Sequence, residues 1–100
     1  MIHIQSTNTA FNELERLPDD ISFRIIRQVS LLANYPKMGV FLESSFPNLK
    51  GLRQLIFKRK WRVIYDFDEY EKTIYVVGVQ SCRRELPAMR DLYRRKREID

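Results

Sequence analysis

Three β-type runs follow one another in the second half of the chain, and the connections between them are short. The runs cover residues 52–57, 61–67 and 73–79 and are rich in Ile, Val, Tyr and Phe, the residues that favour strands. A basic tripeptide separates the first two runs, and the charged segment 68–72 separates the last two. Connections of this length join antiparallel neighbours. The sequence therefore predicts an antiparallel three-stranded meander.

Side-chain alternation in the middle run predicts two different faces. Odd positions from 61 to 67 are aromatic or aliphatic, while even positions mix charge with one aliphatic residue. The first face holds Trp61, Val63, Tyr65 and Phe67, and the second holds Arg62, Ile64 and Asp66. The last run is apolar on both faces, so we expect it to be an interior strand.

The first half of the chain predicts a short strand followed by two helices. Ile2 and Ile4 alternate with polar residues, and helical spacing of apolar residues then predicts a helical hairpin over residues 6–35. Residues 37–51 are too apolar for a free loop, so we expect them to pack against the sheet. A C-terminal helix is predicted over residues 86–99.

Together these elements predict one α+β domain over residues 1–100. In it, an N-terminal helical hairpin packs on a twisted, mainly antiparallel four-stranded sheet, in the order β-α-α-β-β-β, with a C-terminal helix. A chain of 100 residues is short for more than one domain.

Positive charge is concentrated in the second half. Residues 1–49 carry four cations and five anions, whereas residues 50–100 carry fourteen cations and eight anions, giving net charges of −1 and +6. Six of these cations precede the first anion of this half, Asp66, namely Lys50, Arg53, Lys58, Arg59, Lys60 and Arg62. Arg83 and Arg84 come shortly after the last β-type run. Cations carried on strands form a rigid anion-binding surface, so the predicted partners are RNA, DNA or an acidic protein segment.

Several classes of protein are disfavoured by composition. Cys82 is the single cysteine, so no intrachain disulfide can form and a reducing compartment is expected. With one histidine and one cysteine, a zinc site of the usual kind is not expected, and neither is any other cofactor. No stretch is apolar enough for a membrane span and no secretory pattern begins the chain, so we expect a cytoplasmic protein without membrane contact.

Three motifs, taken in order, resemble those of the RelE/ParE superfamily, the toxins of bacterial type II toxin–antitoxin modules. Residues 51–55, Gly-Leu-Arg-Gln-Leu, resemble the entry of the family's second strand, and residues 61–65, Trp-Arg-Val-Ile-Tyr, resemble its third strand. Residues 82–87, Cys-Arg-Arg-Glu-Leu-Pro, resemble the arginine-rich element after the fourth strand. The resemblance extends over nearly the whole chain and is strongest over residues 51–87.

The resemblance implies one of two activities, both causing growth inhibition and both suppressed by a cognate antitoxin in a toxin–antitoxin hetero-oligomer. RelE-like members are mRNA interferases, endoribonucleases that cut messenger RNA on the ribosome, whereas ParE-like members inhibit DNA gyrase without known nuclease chemistry. Leu55 occupies the position at which the best-known nucleases have a second cation. Those nucleases also have a tyrosine shortly after the last arginine of the motif, whereas here Leu86 and Pro87 follow. The leading hypothesis is ribosome-dependent mRNA cleavage, and gyrase inhibition is the alternative.

An RNA-cleaving site needs charge stabilisation at the phosphorus and a base for the 2′-hydroxyl. Arginine suits phosphate clamping, and lysine is the better proton acceptor because arginine stays charged. The residues predicted to be catalytic are Arg53, Lys58, Lys60, Arg62 and Arg83. Predicted RNA contacts are Arg59 and Arg84, with Tyr65 and Tyr93 as rings on which a base could stack.

Simpler interpretations of the same residues stay open. Lys58-Arg59-Lys60 also fits a solvated hairpin turn, and Arg83-Arg84 also fit edge charges that discourage strand aggregation. The aromatic residues of the meander also fit a hydrophobic core. A third hypothesis for the whole chain is a family member that only binds its antitoxin, or a nucleic-acid-binding domain without toxicity.

Overall fold

The computed structural model describes residues 1–98, which form a mixed five-stranded sheet with helices on both faces. The elements in chain order are β1 (His3–Ser6), α1 (Asn8–Glu15), α2 (Asp19–Ser30), β2 (Val40–Phe41), β3 (Leu52–Phe57), β4 (Trp61–Asp68), β5 (Thr73–Ser81) and α3 (Met89–Arg95). Short 3₁₀ turns cover Leu31–Ala33, Leu42–Ser44 and Lys96–Glu98.

The predicted meander is confirmed. Strands β3, β4 and β5 pair antiparallel in sequence, and the strand order across the sheet is β1-β5-β4-β3-β2. Strand β5 lies between β4 and β1, which pairs with it in parallel, and most of its residues are buried, as expected for an interior strand. The α+β class is therefore confirmed.

The predicted number of strands, four, is one short of the number observed. The additional strand, β2, lies within the connection that was expected to pack against the sheet, and it pairs antiparallel with β3. Its two residues are too few to produce a recognisable alternation, so the sequence pattern gave no sign of it. The packing expectation itself is confirmed, because Leu42 and Leu49 of this connection belong to a hydrophobic core.

Each face of the sheet has its own core. The α1–α2 hairpin covers one face, where Val63 and Tyr65 pack with Ile25 and Leu32. The connection between β2 and β3 covers the other face together with α3, where Ile64 packs with Leu92. The alternation predicted for β4 is thus confirmed, and Arg62 lies on the same face as Ile64.

Local chemistry accounts for the helix boundaries. The Thr7 side chain accepts a hydrogen bond of 3.1 Å from the Ala10 amide, which caps the start of α1. Helix α3 begins at Met89, three residues later than predicted, and the extended backbone of Ala88 precedes it. Pro87 accounts for the absence of Leu86 from the helix, because a proline disfavours helical geometry at the residue before it. Its α-helical part ends at Arg95, before the last 3₁₀ turn, and the predicted end at residue 99 lies outside the described residues.

Candidate functional site

The turn between β3 and β4 is the most basic exposed part of the sheet. Lys58 and Arg59 both have positive φ, 52° and 57°, and the Lys60 amide donates a hydrogen bond of 3.1 Å to the Phe57 carbonyl. Two consecutive positive φ values are what a type I′ turn requires, and this turn matches the twist of the flanking strands. The three cations of the turn are exposed, so the backbone presents them outward.

A backbone hydrogen bond brings a second basic segment beside this turn. The Cys82 amide donates to the Lys60 carbonyl at 2.8 Å, directly after β5 ends. Arg83 and Arg84 follow and are both exposed. We call the group formed by Lys58, Arg59, Lys60 and Arg83 the basic tip. The structure therefore brings together four of the predicted site residues at one end of the sheet.

Arg84 differs from these four because it has an acidic neighbour. Its guanidinium lies 3.9 Å from the Glu13 carboxylate of α1. Arg84 is exposed whereas the Glu13 side chain is mostly buried, and the carboxylate partly neutralises the charge that Arg84 offers to a ligand.

Arg62 lies next to the basic tip but below the surface. It is 9% exposed, and its Nε and one terminal nitrogen have no hydrogen-bond partner in the part of the chain that the structure describes. The other terminal nitrogen makes a long contact of 3.5 Å with the Cys82 carbonyl, and the Phe46 ring lies 5.7 Å from the guanidinium carbon. A buried charge without an acidic partner is costly, so this position is unusual for a purely structural arginine.

Arg53 lies apart from the other predicted catalytic residues. It pairs with Tyr65 in the sheet and shares its face, which is opposite to the face of Arg62. Its guanidinium donates a hydrogen bond of 2.7 Å to the Gly39 carbonyl and lies 3.8 Å from the Phe41 ring centroid. These contacts tie the loop before β2 to the sheet.

The cleft beside Arg53 is also unfavourable for a polyanion. Three acidic residues line it together with Arg53 and Lys37, namely Asp66, Asp68 and Glu69. Backbone hydrogen bonding by Glu71 lowers the pKa of Asp68, and a hydrogen bond from Lys37 lowers that of Glu69, so both stay ionised at neutral pH. A phosphate in this cleft would meet carboxylates as well as cations.

The two predicted stacking tyrosines differ in access. Tyr65 is completely buried, and its hydroxyl donates to the Pro36 carbonyl and accepts from the Gly39 amide, both at 2.9 Å. The prediction that a base stacks on Tyr65 is therefore wrong, because neither ring face is free. Tyr93 is 40% exposed on α3, with its hydroxyl 3.5 Å from the Lys50 carbonyl, so contact with a ligand is open to it.

Two residues near Arg62 were not singled out from the sequence. Gln80 pairs with Arg62 across the sheet, is 3% exposed, and donates to the carbonyls of Arg84 and Glu85 at 3.3 Å. Phe46 comes from the connection between β2 and β3. Alternation along β5 could have placed Gln80 beside Arg62, whereas no local pattern marks Phe46.

Residues 1–98 hold no group of three His, Cys, Asp or Glu side chains that could bind a metal ion. In the same range, none of the helices has the length and apolarity needed to cross a membrane.

Comparison with protein families gives a match over most of the chain. Residues 4–86 match the model of the ParE toxin of the type II toxin–antitoxin system parDE. No curated protein sequence matches.

Solved structures with a similar fold come from toxin–antitoxin systems. The toxin–antitoxin complex RelBE2 of Mycobacterium tuberculosis contains a chain that is 20% identical, with a TM-score of 0.65 over 80% of this chain and 96% of that chain. The isolated RelE toxin of E. coli is 10% identical, with a TM-score of 0.69 over 85% and 88%. A chain of the E. coli RelBE toxin–antitoxin complex is 12% identical, with a TM-score of 0.66 over 84% of this chain and 100% of that chain. At these identities the similarity shows the fold alone.

Proposed function

Because the chain belongs to the ParE toxin family of type II toxin–antitoxin systems, we propose that it arrests growth by binding DNA gyrase, without cutting RNA. The observation that carries the proposal is the separation of Arg53 from Arg62 on opposite faces of the sheet. A nuclease site must direct its cations at one phosphate. Two of the predicted catalytic arginines cannot do so together in this arrangement.

The basic tip is the proposed docking surface for gyrase. Three of its cations project from the β3–β4 hairpin and the fourth, Arg83, from the adjacent segment after β5, an arrangement that suits the steering of an acidic protein surface. None of the four residues is a histidine or a carboxylate, the groups that most often transfer protons in catalysis. Binding through such a surface should weaken gradually as charges are removed and as salt is added.

Exposed apolar residues on the helical hairpin support a protein partner on another side of the molecule. Phe11, Phe23 and Ile26 are 53%, 67% and 48% exposed and surround a depression of about 280 Å³. The polar residues Glu15, Asp19 and Ser22 also line this depression. An exposed apolar patch bordered by polar residues marks a protein interface. We assign this patch to the cognate antitoxin.

Ribosome-dependent mRNA cleavage is the second candidate, and one observation favours it. Lys58, Lys60, Arg62 and Arg83 lie at the same end of the sheet, and Arg62 has unused hydrogen-bond donors. Such a group could hold a phosphate if the ribosome positioned the RNA. In this candidate Arg53 is a structural residue and takes no part in catalysis.

A gyrase supercoiling reaction tests the proposal. Purified protein added to gyrase and relaxed plasmid should prevent supercoiling, and Lys58→Ala with Lys60→Ala should weaken inhibition about tenfold at low salt. Arg24→Ala with Arg27→Ala removes the same charge from the exposed face of α2 and should leave inhibition unchanged.

Cell-free translation of a defined message, with primer extension to map RNA ends, separates the two candidates. The gyrase proposal predicts an intact message at protein concentrations that block supercoiling. New ends that appear only when ribosomes occupy the message would overturn the proposal and establish mRNA cleavage.

A further inference from the structure

We infer that Arg62 anchors a carboxylate from an acidic and apolar segment of the antitoxin. This inference rests on the proposed toxin–antitoxin function and concerns the site at which the toxin is neutralised. Arg62 carries a buried positive charge and makes no ion pair with a carboxylate of residues 1–98. Its unused nitrogens can each donate to an oxyanion.

A groove lies beside this arginine and supplies the apolar part of the site. It has a volume of about 480 Å³ and runs between residues 45–49 and 85–89. Phe46 and Glu85 line it, and the same two residues contact the Arg62–Gln80 pair. Pro47, Leu86 and Pro87 add apolar surface. A peptide in this groove could bury apolar side chains and direct one carboxylate toward the guanidinium.

The polar groups around Arg62 match a polypeptide better than a nucleic-acid backbone. Gln80 and Gln54 lie across the sheet from β4 on the same face as Arg62. The side-chain oxygen Oε1 of each has no hydrogen-bond partner among residues 1–98. The site therefore needs donors as well as an anion. A peptide supplies an N–H donor at nearly every residue together with a carboxylate. The phosphodiester groups of RNA supply acceptors only, and the single donor of each backbone unit is the ribose 2′-hydroxyl.

Depth and charge point to the same ligand. Arg62 is 9% exposed and its two unpaired nitrogens are fully buried, so an anion reaches them only by inserting into the protein. A carboxylate on a flexible side chain is slim enough to insert in this way, while a phosphate flanked by two nucleosides is bulkier. The half of the chain that holds the site carries a net charge of +6, which attracts an acidic segment. Neutralising Arg62 would also remove the cost of its unpaired buried charge, which contributes to affinity.

Fluorescence anisotropy with three labelled probes of equal length tests the inference: a peptide of alternating leucine and glutamate, its leucine–glutamine counterpart, and oligouridylate. The leucine–glutamate peptide should bind most tightly. Arg62→Met should weaken its binding at least tenfold, and Arg90→Met, at an exposed position of α3, should leave it unchanged. Equal binding of that peptide by wild type and Arg62→Met would overturn the inference, as would preferential binding of oligouridylate that Arg62→Met abolishes.

Thermal unfolding of the free protein gives an independent readout. Because methionine fills similar space without a charge, Arg62→Met should raise the Tm of the free protein if the charge is unpaired. A lower Tm would mean that Arg62 is a structural residue and would overturn the inference. Neither readout involves gyrase, so a failed supercoiling test and a failed anchor test are distinguishable.

Discussion

Arg95 donates a hydrogen bond of 2.8 Å to the carbonyl of Val77, where β5 carries one residue more than its partner β4. Strand β1 ends at Ser6, opposite Val76, so the next backbone groups of β5 have no strand beside them. Glu13 accepts a hydrogen bond of 3.0 Å from the Val79 amide, and its carboxylate lies 3.8 Å from Arg95. Beyond the end of β1, side chains from two different helices therefore supply the hydrogen-bond partners for the backbone of β5.

Replacing Arg95 should destabilise the fold. Arg95→Met leaves the buried Val77 carbonyl without its donor and removes a cation from Glu13, so we expect a loss of about 1–3 kcal/mol in the free energy of unfolding. Urea denaturation measures the loss. Arg94→Met, at a side chain that is 68% exposed, should cost less than about 0.5 kcal/mol. Equal costs at the two positions would contradict the role of Arg95.

The hydroxyl of Tyr65 should hold the loop before β2 in place. Tyr65→Phe removes hydrogen bonds to Pro36 and from Gly39, which should lower stability by about 1–3 kcal/mol. Hydrogen exchange at the Gly39 amide should also become faster. Tyr70→Phe is the matched control, because Tyr70 is almost fully exposed and should change neither quantity. Unchanged exchange at Gly39 in Tyr65→Phe would show that other contacts fix this loop.

Gly39 should tolerate no side chain. A Cβ atom there would lie 2.7 Å from both the Gln54 carbonyl oxygen and the Tyr65 hydroxyl, which is closer than van der Waals contact permits. Gly39→Ala should therefore cost about 1–3 kcal/mol in urea denaturation, as overpacking does elsewhere. Ser45→Ala, at an exposed position of the same connection, should have little effect. Normal stability of Gly39→Ala would mean that β2 can move away from β3.

The turn between β3 and β4 should separate stability from function. Lys58→Asn with Arg59→Gly gives the residues preferred at two positive φ values. Relief of the left-handed backbone cost, about 1–2 kcal/mol per residue, should exceed the added chain entropy of glycine in the unfolded state, so the variant should be more stable. Under the proposed function it should also lose gyrase inhibition, because two cations of the basic tip are gone. Lys72→Gly relieves a positive φ of 54° in the other turn and should keep full inhibition. Full inhibition by the Asn-Gly variant would exclude the tip as the docking surface.

Tyr75 should ionise at unusually high pH. Its hydroxyl donates a hydrogen bond of 2.8 Å to Glu71, and this bond, followed by burial, raises the pKa from 10.0 to about 12. Because the folded-state pKa is the higher one, the resulting stability is fully present below pH 10.0 and is lost as the pH rises toward 12. NMR titration of the labelled tyrosine ring carbons should show a lower pKa for Tyr75 in Glu71→Gln. An unchanged value would assign the shift to burial instead.

Much of the fold could be predicted because strands with short connections carry strong local signals. Alternation in β4 placed Ile64 and Tyr65 on opposite faces, where the structure finds two separate cores. Strand β2 could not be predicted, because a two-residue strand exists only through its pairing with β3. The exclusion of Leu86 from α3 could have been predicted, because the effect of Pro87 on the preceding residue is local.

The candidate site was less predictable, because grouping cations by sequence ignores the direction in which each side chain points. Arg53 and Arg62 were both assigned to one catalytic site, but their positions in paired strands place them on opposite faces of the sheet. Tyr65 was predicted to stack a base, with a place in the hydrophobic core as the alternative, and its alternation with Val63 already favoured the core. Only the three-dimensional arrangement brings Phe46 to Arg62, since the two residues come from separate parts of the chain.

The parallel pairing of β1 with β5 has a consequence for how the protein is made on the ribosome. The N-terminal strand pairs with residues 73–76, so it has no partner until most of the chain has been synthesised. Pairing between distant parts of a chain closes a long loop, which makes it slow. The antiparallel meander can form first, and β1 then joins the exposed edge of β5. The first strand of the sequence is therefore the last to join the sheet, because its partner residues 73–76 are synthesised after the other paired strands.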